Sequence, residues 1–288
     1  MNATTLMPAA FIGHGSPMNT LESNRYTAAW QALGRALPRP RAVLAISAHW
    51  YINGSAVTAM QRPRVIHDFY GFPRQLFEFD YPAPGAPDVA EEVAEVVKPA
   101  FVGLDHDSWG LDHGTWSVLV HAFPDADVPV VQLSINANQP ADYHARLGER
   151  IAALRTRGVL VMGSGNVVHN LRAMARDQPD GAYDWARRFD DHAREVVTGR
   201  PGDAASLLAH PEFKRAAPTP EHFLPLLYVT GVAAAAGETP QVLVDGYSYG
   251  SLSMISFTVG AAHAPARDSA RSGVPPLESV APPEDTNL

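Results

Sequence analysis

The sequence contains no cysteine among its 288 residues. This absence excludes disulfides, thiolate-bound zinc, iron–sulfur clusters and cysteine nucleophiles. A basic block is also missing and the formal net charge is -8, so we expect no nucleic-acid partner. No apolar run approaches the roughly 20 residues that a membrane helix needs, so we expect no membrane span. The N-terminus shows no basic region followed by a long apolar stretch, which predicts a cytoplasmic protein without a signal peptide.

Histidine, in contrast, is abundant, with 12 residues. Hydrophobic residues make up 46% of the chain, which is enough to bury a core. Strand-like apolar runs alternate with helical patterns; the runs are 8–12, 42–47, 55–60, 128–135, 158–162, 241–244 and 251–259, and the helical patterns are 87–97, 117–123, 140–157, 182–197 and one beginning at 218. This alternation predicts an α/β fold, a single domain with a central mostly parallel or mixed sheet and helices on both faces. We assign residues 1–262 to that domain and 263–288, rich in Pro, Ser, Asp and Glu, to a disordered tail.

Several histidines recur where predicted strands end or helices begin. His14 lies between two glycines after the first strand, His49 and His169 follow later strands, His222 opens a helix, and His113 lies in a Gly-bounded loop. Any one of them alone would be interpreted as a structural or surface residue, but loops at the carboxyl edge of an open α/β sheet converge on ligands. Neutral imidazole is the commonest metal ligand, and a mononuclear Fe(II) or Zn(II) site needs about three such donors. The spacing forms no compact motif such as HExxH, so it favours a metal site without fixing its ligands.

An aromatic stretch at 65–73 carries too many proline and glycine residues for a long regular element. We expect it to cover the site as a wall or lid and to place His67, Tyr70 and Phe72 against a substrate. Arg74 has two interpretations, a partner for a substrate carboxylate or a plain surface arginine. The remaining histidines are expected to be solvated: His106, His121, His144, His192, His210 and His263.

Eight short motifs are spread along the chain: GHGSPMN at 13–19, SAHW at 47–50, HDFYGFP at 67–73, YPAPG at 81–85, LDHGTW at 111–116, SGNVVHNLR at 164–172, PTPEHFLPLLY at 218–228 and YGSLSM at 249–254. Together they closely resemble the bacterial 4,5-DOPA extradiol dioxygenase-like proteins. These belong to the class III extradiol ring-cleaving dioxygenases, the superfamily of the protocatechuate 4,5-dioxygenase catalytic subunit. The resemblance runs from about residue 8 to residue 260.

The resemblance implies one metal ion per chain, with Fe(II) for activity and Zn(II) able to occupy the same site. By position, His14, His49 and His222 match the metal ligands, and His169 matches either a fourth ligand or the acid–base residue beside the metal. His113 matches a pocket histidine that assists the substrate hydroxyl or dioxygen. Because the wider superfamily uses two histidines and a glutamate, Glu221 is a rival to His222.

The implied reaction consumes a small aromatic ortho-diol and O2 and gives a muconic semialdehyde. A base must remove a phenolic proton and an acid must assist O–O cleavage, and an imidazole titrating near neutrality does both, so the catalytic roles fall to His169 with support from His113. Two rival hypotheses remain: a zinc hydrolase on the same scaffold, and a non-catalytic protein that binds a metal or a catechol. Dependence on oxygen separates the dioxygenase from the hydrolase.

Overall fold

A computed structural model of the chain describes residues 6–260. The predicted tail at 263–288, including His263, lies outside the described residues. Within them the strands are β1 (Ala9–Gly13), β2 (Ala42–Ile52), β3 (Ala56–Thr58), β4 (Gly103–Asp105), β5 (Val130–Asn136), β6 (Val159–Gly165), β7 (Gln241–Val244), β8 (Tyr247–Ser248), β9 (Leu252–Ser253) and β10 (Ser256–Val259). The helices are α1 (Arg25–Ala36), α2 (Arg74–Phe77), α3 (Pro87–Val96), α4 (His113–Ala122), α5 (Ala141–Ile151), α6 (Asp184–Gly199), α7 (Phe213–Ala216) and α8 (Leu224–Ala236).

Eight of these strands form one mixed sheet in the order β4-β3-β5-β2-β6-β1-β10-β7. The centre is parallel, because β5, β2, β6 and β1 all run in the same direction. Antiparallel pairing occurs at β3–β5 and where β10 lies between β1 and β7. The carboxyl ends of the central strands therefore meet at one edge, where ligands bind in folds of this type.

Helices cover both faces of the sheet, as predicted. Side chains alternate along β1, so Phe11 packs into one hydrophobic cluster and Ile12 into another. The Phe11 cluster includes residues of α3, α5, α6 and α8, whereas the Ile12 cluster includes residues of α1 and α4. Both side chains are fully buried, and burial of one such side chain contributes about 1.5–3 kcal/mol. Between residues 6 and 260, no helix combines the length and the apolar character needed to cross a membrane.

Several predicted boundaries were wrong. Strand β2 continues to Ile52 through an irregularity in its pairing with β5, so His49 lies inside this strand and not after it. The predicted helix 140–157 ends at Ile151 and continues as a 3-10 helix, and the predicted strand 251–259 is divided into β9 and β10. Helix α8 begins at Leu224, later than predicted, which leaves His222 on the turn before it.

Helix α1 was not predicted, although its signals are in the sequence. Asn24 caps it by accepting hydrogen bonds from two backbone amides, and the Thr27 hydroxyl accepts one from the Asn24 amide, which completes a capping box. Tyr26, Trp30 and Leu33 are buried at helical spacing on its inner face.

The expectation that His144 is solvated was wrong. His144 lies on the same face of α5 as Leu147 and Ile151, and all three side chains are buried against the core. Its Nδ1 lies 3.0 Å from the Tyr228 hydroxyl of α8. Burial lowers the pKa of His144 to about 4, so this histidine is a neutral core residue at physiological pH.

Helix α6 carries a buried carboxylate, Asp190, whose side chain accepts hydrogen bonds from the hydroxyls of Ser253 and Tyr247. Burial raises the pKa of Asp190 to about 6, and the hydrogen bonds and Arg194 offset part of this increase. The folded protein therefore binds a proton here at pH values where an unfolded aspartate, with a pKa near 4, has lost it.

Replacing Asp190 with Asn should remove a pH dependence of stability. Because the folded-state pKa is raised, the free energy of unfolding should fall as the pH rises from about 4 to 6, by about 3 kcal/mol in total. Urea unfolding between about pH 4 and pH 6 should show that the free energy of unfolding of Asp190→Asn rises by about 3 kcal/mol relative to that of the wild type. Asp107→Asn, the same change at an exposed residue that does not influence Asp190, should follow the wild type at every pH. A constant difference between Asp190→Asn and the wild type would contradict the prediction.

Candidate metal centre

The structure brings the five predicted site histidines into one cluster at the carboxyl edge of the central strands. His14 follows β1, His49 lies in β2, His113 begins α4, His169 lies after β6 and His222 precedes α8. Neighbouring ring centres in the cluster lie 3.5–5.8 Å apart. Their side chains are largely withdrawn from solvent, with relative exposures of 0% for His14 and His113, 4% for His222 and 7% for His169.

Carboxylates hold three of these rings through Nδ1. Asp68 accepts from His49 Nδ1 at 2.9 Å through Oδ2 and from His113 Nδ1 at 2.8 Å through Oδ1. Glu221 Oε1 lies 3.2 Å from His222 Nδ1. An ionised carboxylate only accepts hydrogen bonds, so the proton of each of these imidazoles belongs on Nδ1 and the lone pair on Nε2.

A serine holds the fourth ring in the same way. His14 Nδ1 lies 2.9 Å from Ser164 Oγ. The Ser164 hydroxyl donates its own proton to the Gly114 carbonyl in a short hydrogen bond, so toward His14 it acts as an acceptor. Asn19 Nδ2 donates to the His14 carbonyl at 3.0 Å and so holds the backbone in place. His14 therefore also directs its Nε2 lone pair inward.

The inward nitrogens lack the partners that buried polar atoms usually have. Nε2 of His113 and Nε2 of His222 are buried without a hydrogen-bond partner among the described residues. Nε2 of His14 and Nε2 of His49 face each other at 3.2 Å. With Nδ1 protonated on both rings, this contact joins two lone pairs and not a donor to an acceptor. Buried, unpaired acceptors are costly, and a cation among them removes that cost. The donor set therefore fits a metal that prefers neutral nitrogen ligands.

The ring spacing distinguishes between possible ligand triads. The ring centres of His14, His49 and His222 lie 5.1, 5.5 and 5.0 Å apart, close to an equilateral triangle. Three imidazoles bound at about 2.0–2.1 Å to one tetrahedral metal hold their ring centres about 5 Å apart. The ligand atoms of His14, His49 and His113 also lie within 4.8 Å of one another. In that second set, however, the His113 ring is packed 3.9 Å from His49 and lies 5.8 Å from His14, so its geometry fits less well.

His169 lies flat on His222. Their ring centres are 3.5 Å apart and the planes differ by 5°. A metal bound to an imidazole lies near the plane of the ring, because the lone pair lies in that plane. A metal in the plane of His222 would lie a full stacking distance from the plane of His169. Ligand atoms of His169, Glu221 and His222 lie within 4.8 Å of one another, but the parallel stacking makes the two rings poorly suited to bind the same ion.

The electrostatics favour the neutral form of His14, His113 and His222 and the protonated form of His49, which faces the Asp68 carboxylate. Burial lowers the pKa of His14 and of His222 well below the ordinary value, and repulsion from the other histidines lowers both further. Burial and repulsion from His49 also lower the pKa of His113. Burial would lower the pKa of His49, but attraction to Asp68 outweighs it and the pKa is raised. Burial would likewise raise the pKa of Asp68, yet His113 and His49 hold it well below its usual range. Neutral imidazole is the form that binds metals.

A buried aspartate sets the position of His113 at the first turn of α4. Asp112 is fully buried and caps this helix by accepting from the Thr115 amide. Its carboxylate also accepts from the Ser47 hydroxyl at 2.7 Å and, in a short hydrogen bond, from the Gln132 amide. Burial and the nearby Asp68 raise the pKa of Asp112.

Three residues that orient the histidines were not predicted from the sequence. Asp68, Ser164 and Asp112 were not proposed for the site. One signal for Asp68 was available, because it is the one acidic residue within the stretch 65–73. Ser164 and Asp112 lie within the motifs at 164–172 and 111–116, but their contacts with His14, Ser47 and Gln132 join segments far apart along the chain.

Two of the predicted substrate residues occupy different surroundings. His67 is half-buried, its Nε2 lies 2.8 Å from the Phe79 carbonyl, and its ring lies 5.6 Å from that of Trp116. Tyr70 is 48% exposed on the outer surface of the same stretch. Both residues belong to the aromatic stretch that covers α4.

Phe69, which lies in the predicted aromatic wall, is the residue of that stretch whose ring reaches the cluster. Its ring meets that of His113 edge-on at 5.4 Å, and the predicted Phe72 packs edge-on against Phe69 at 5.5 Å. Arg74 pairs with Glu78 at 2.6 Å, and its side chain is 88% exposed, in keeping with the interpretation as a surface arginine.

Comparisons with known proteins show which family the chain resembles. The family model described as the catalytic LigB subunit of aromatic ring-opening dioxygenase matches residues 9–260. The 4,5-DOPA dioxygenase extradiol of Escherichia coli is 48% identical over 263 residues, which cover 90% of this chain and 96% of that protein. The protein of the same name from Beta vulgaris is 34% identical over 261 residues, covering 85% and 96%. A crystal structure of an uncharacterized Escherichia coli protein superposes with a TM-score of 0.77 at 43% identity, covering 88% of this chain and 99% of that one.

The matched residues span nearly the same part of the chain as the eight motifs, and the resemblance predicted from those motifs is confirmed. Family members of this type are ring-opening enzymes, so the prediction of a dioxygenase is confirmed as well. The chain therefore belongs to the LigB family of aromatic ring-opening dioxygenases, the class III extradiol dioxygenases.

Proposed function

We propose that this enzyme opens the ring of a small catechol, DOPA or a related ortho-diphenol, with O2 at a single Fe(II) ion and forms a muconic semialdehyde. The main support for the proposal is that four imidazoles direct their Nε2 lone pairs toward one another. A fifth histidine, His169, is stacked on one of these rings. The names of the Escherichia coli and Beta vulgaris relatives support DOPA as the first substrate to test.

His14, His49 and His222 would hold the metal through Nε2. Bound Fe(II) supplies the redox-active centre that brings the diol and dioxygen together. In this proposal Glu221 orients His222 and is not counted among the ligands; its Oε1 accepts the His222 Nδ1 proton and, at 2.7 Å, that of the Thr219 hydroxyl. Three neutral ligands leave the full charge on the ion, so we expect Zn(II) to bind well and the zinc form to be inactive as an oxygenase.

His169 is proposed as the acid–base residue. Its ring is stacked on that of His222, and this supports a role beside the proposed ligands and not as one of them. There it would take the proton of a substrate hydroxyl and return it as the ring opens. His113 would assist by accepting a hydrogen bond from the substrate at Nε2, which is buried and has no partner of its own among the described residues. Phe69, and beyond it the predicted Phe72, would form the aromatic wall of the pocket.

Oxygen uptake tests this function directly. Protein reconstituted anaerobically with Fe(II) is mixed with L-DOPA, caffeate, protocatechuate or catechol, and oxygen consumption is recorded beside the absorbance of a yellow semialdehyde. We expect uptake matched to product with at least one diol, and none from the zinc-loaded protein. Absence of uptake with every diol, together with ester hydrolysis by the zinc form, would contradict the proposal and favour the zinc hydrolase.

A further inference from the structure

We infer that Asp68 is a positioning residue that serves two histidines at once, fixing the proton of both His49 and His113 on Nδ1. The inference rests on the proposed function, because it links a proposed metal ligand to the histidine proposed to assist the substrate. It assigns a role to a residue that touches neither the proposed metal nor the substrate.

Each oxygen of the carboxylate has its own imidazole. Oδ2 lies 2.9 Å from His49 Nδ1, and Oδ1 lies 2.8 Å from His113 Nδ1. Oδ1 also accepts from the backbone amide of His113 at 3.2 Å. The Asp68 side chain is 15% exposed, so water competes little for these bonds. The two rings it holds lie 3.9 Å apart.

The carboxylate is held in place by the backbone around it. The Ile66 amide donates to the Leu111 carbonyl at 2.8 Å, and the Ile66 carbonyl accepts from the Trp116 indole at 2.9 Å. These bonds join the segment that carries Asp68 to the start of α4, which carries His113. Asp68, the acceptor, and His113, one of its two donors, therefore belong to one rigid unit.

The chemical consequence is that Asn cannot replace Asp at this position. A carboxylate offers an acceptor to both Nδ1 protons, whereas an amide has one acceptor oxygen and presents a donor on its other side. In the Asp68→Asn protein, at least one of the two imidazoles must turn away or move its proton to Nε2. That proton would point into the cluster and block metal binding by His49 or hydrogen-bond acceptance by His113. His14 and His222 have separate acceptors, Ser164 and Glu221, and should be unaffected.

The test compares Asp68→Asn with Asp80→Asn, which makes the same charge change at an exposed site a short distance along the chain. Long-range proton–nitrogen NMR of metal-free protein labelled with 15N-histidine, at about pH 8 where ordinary imidazoles are neutral, shows which ring nitrogen carries the proton. We expect Nδ1–H for His49 and His113 in the wild type and in Asp80→Asn, and Nε2–H for at least one of them in Asp68→Asn. His49→Gln and His113→Gln assign the signals.

Zinc affinity is the second readout, measured by chelator competition on the same proteins. Loss of an outer hydrogen-bond partner of a metal ligand costs roughly 10–100-fold in affinity, and we expect a loss of that order for Asp68→Asn but not for Asp80→Asn. Asp68→Glu keeps both acceptor oxygens, so it should recover part of the lost zinc affinity.

Two results would overturn the inference. One is a neutral imidazole with its proton on Nε2 in place of Nδ1 for His49 or His113 in the wild type, a result that does not depend on any variant folding. The other is an Asp68→Asn protein with unchanged protonation and the zinc affinity of Asp80→Asn. Neither readout uses a catechol or oxygen. A wild type with the expected protonation but no oxygen uptake would therefore refute the proposed function and leave the role of Asp68 supported.

Discussion

Replacing His222 with Gln is expected to remove the metal from the protein and to abolish ring cleavage. The reason is that His222 completes the near-equilateral triangle with His14 and His49, and its buried Nε2 has no other partner among the described residues. The loss of affinity should exceed the roughly 10–100-fold that follows removal of an outer partner, because a ligand itself is lost. Metal content after dialysis, measured by atomic emission, gives the result.

His113→Gln is the informative comparison for this variant. If the metal were held by His14, His49 and His113, whose ligand atoms also lie close together, His113→Gln would lose the metal and His222→Gln would keep it. We expect instead that His222→Gln loses the metal and His113→Gln keeps it. His106→Gln, a change at an exposed histidine, controls for the substitution itself and should retain both metal and activity. Near-ultraviolet circular dichroism of each variant shows whether its fold is intact.

His169→Gln is expected to keep the metal and lose catalysis. Because the His169 ring is stacked parallel to that of His222 at 3.5 Å, the two imidazoles are poorly oriented to hold one ion together. Loss of a general acid–base group lowers the rate by about 10²- to 10⁴-fold, and we expect a fall of that order in the turnover number. Oxygen uptake and metal content are measured on the same Fe(II)-reconstituted sample.

Substrate binding separates a catalytic loss from a binding loss in His169→Gln. Anaerobic titration with the catechol that the wild type cleaves should show that the variant still binds it. Loss of the metal from His169→Gln would contradict the prediction and make His169 a ligand. Unchanged turnover would show instead that another group transfers the proton.

Much of the fold was predictable from local pattern. The central strands and most of the helices were recognised from the spacing of their apolar residues, because one buried face imposes a period of two on a strand and of 3.6 on a helix. Helix α1 could also have been predicted from its Asn24 cap, but it was not. The location of His49 within β2 could not be predicted, because the strand continues beyond its apolar run through an irregularity in its pairing with β5.

By itself, the sequence determined the α/β class, the family and the five histidines that gather at the sheet edge, since strand ends and short motifs are local features. Only the tertiary structure decided how those histidines are used. The partners that set their protonation, such as Asp68 for His113 and Ser164 for His14, lie 45 and 150 residues away along the chain. The stacking of His169 on His222 likewise depends on two loops meeting. A hydrogen bond or a ring contact of this kind is set by the packing of distant segments, and no local pattern records it.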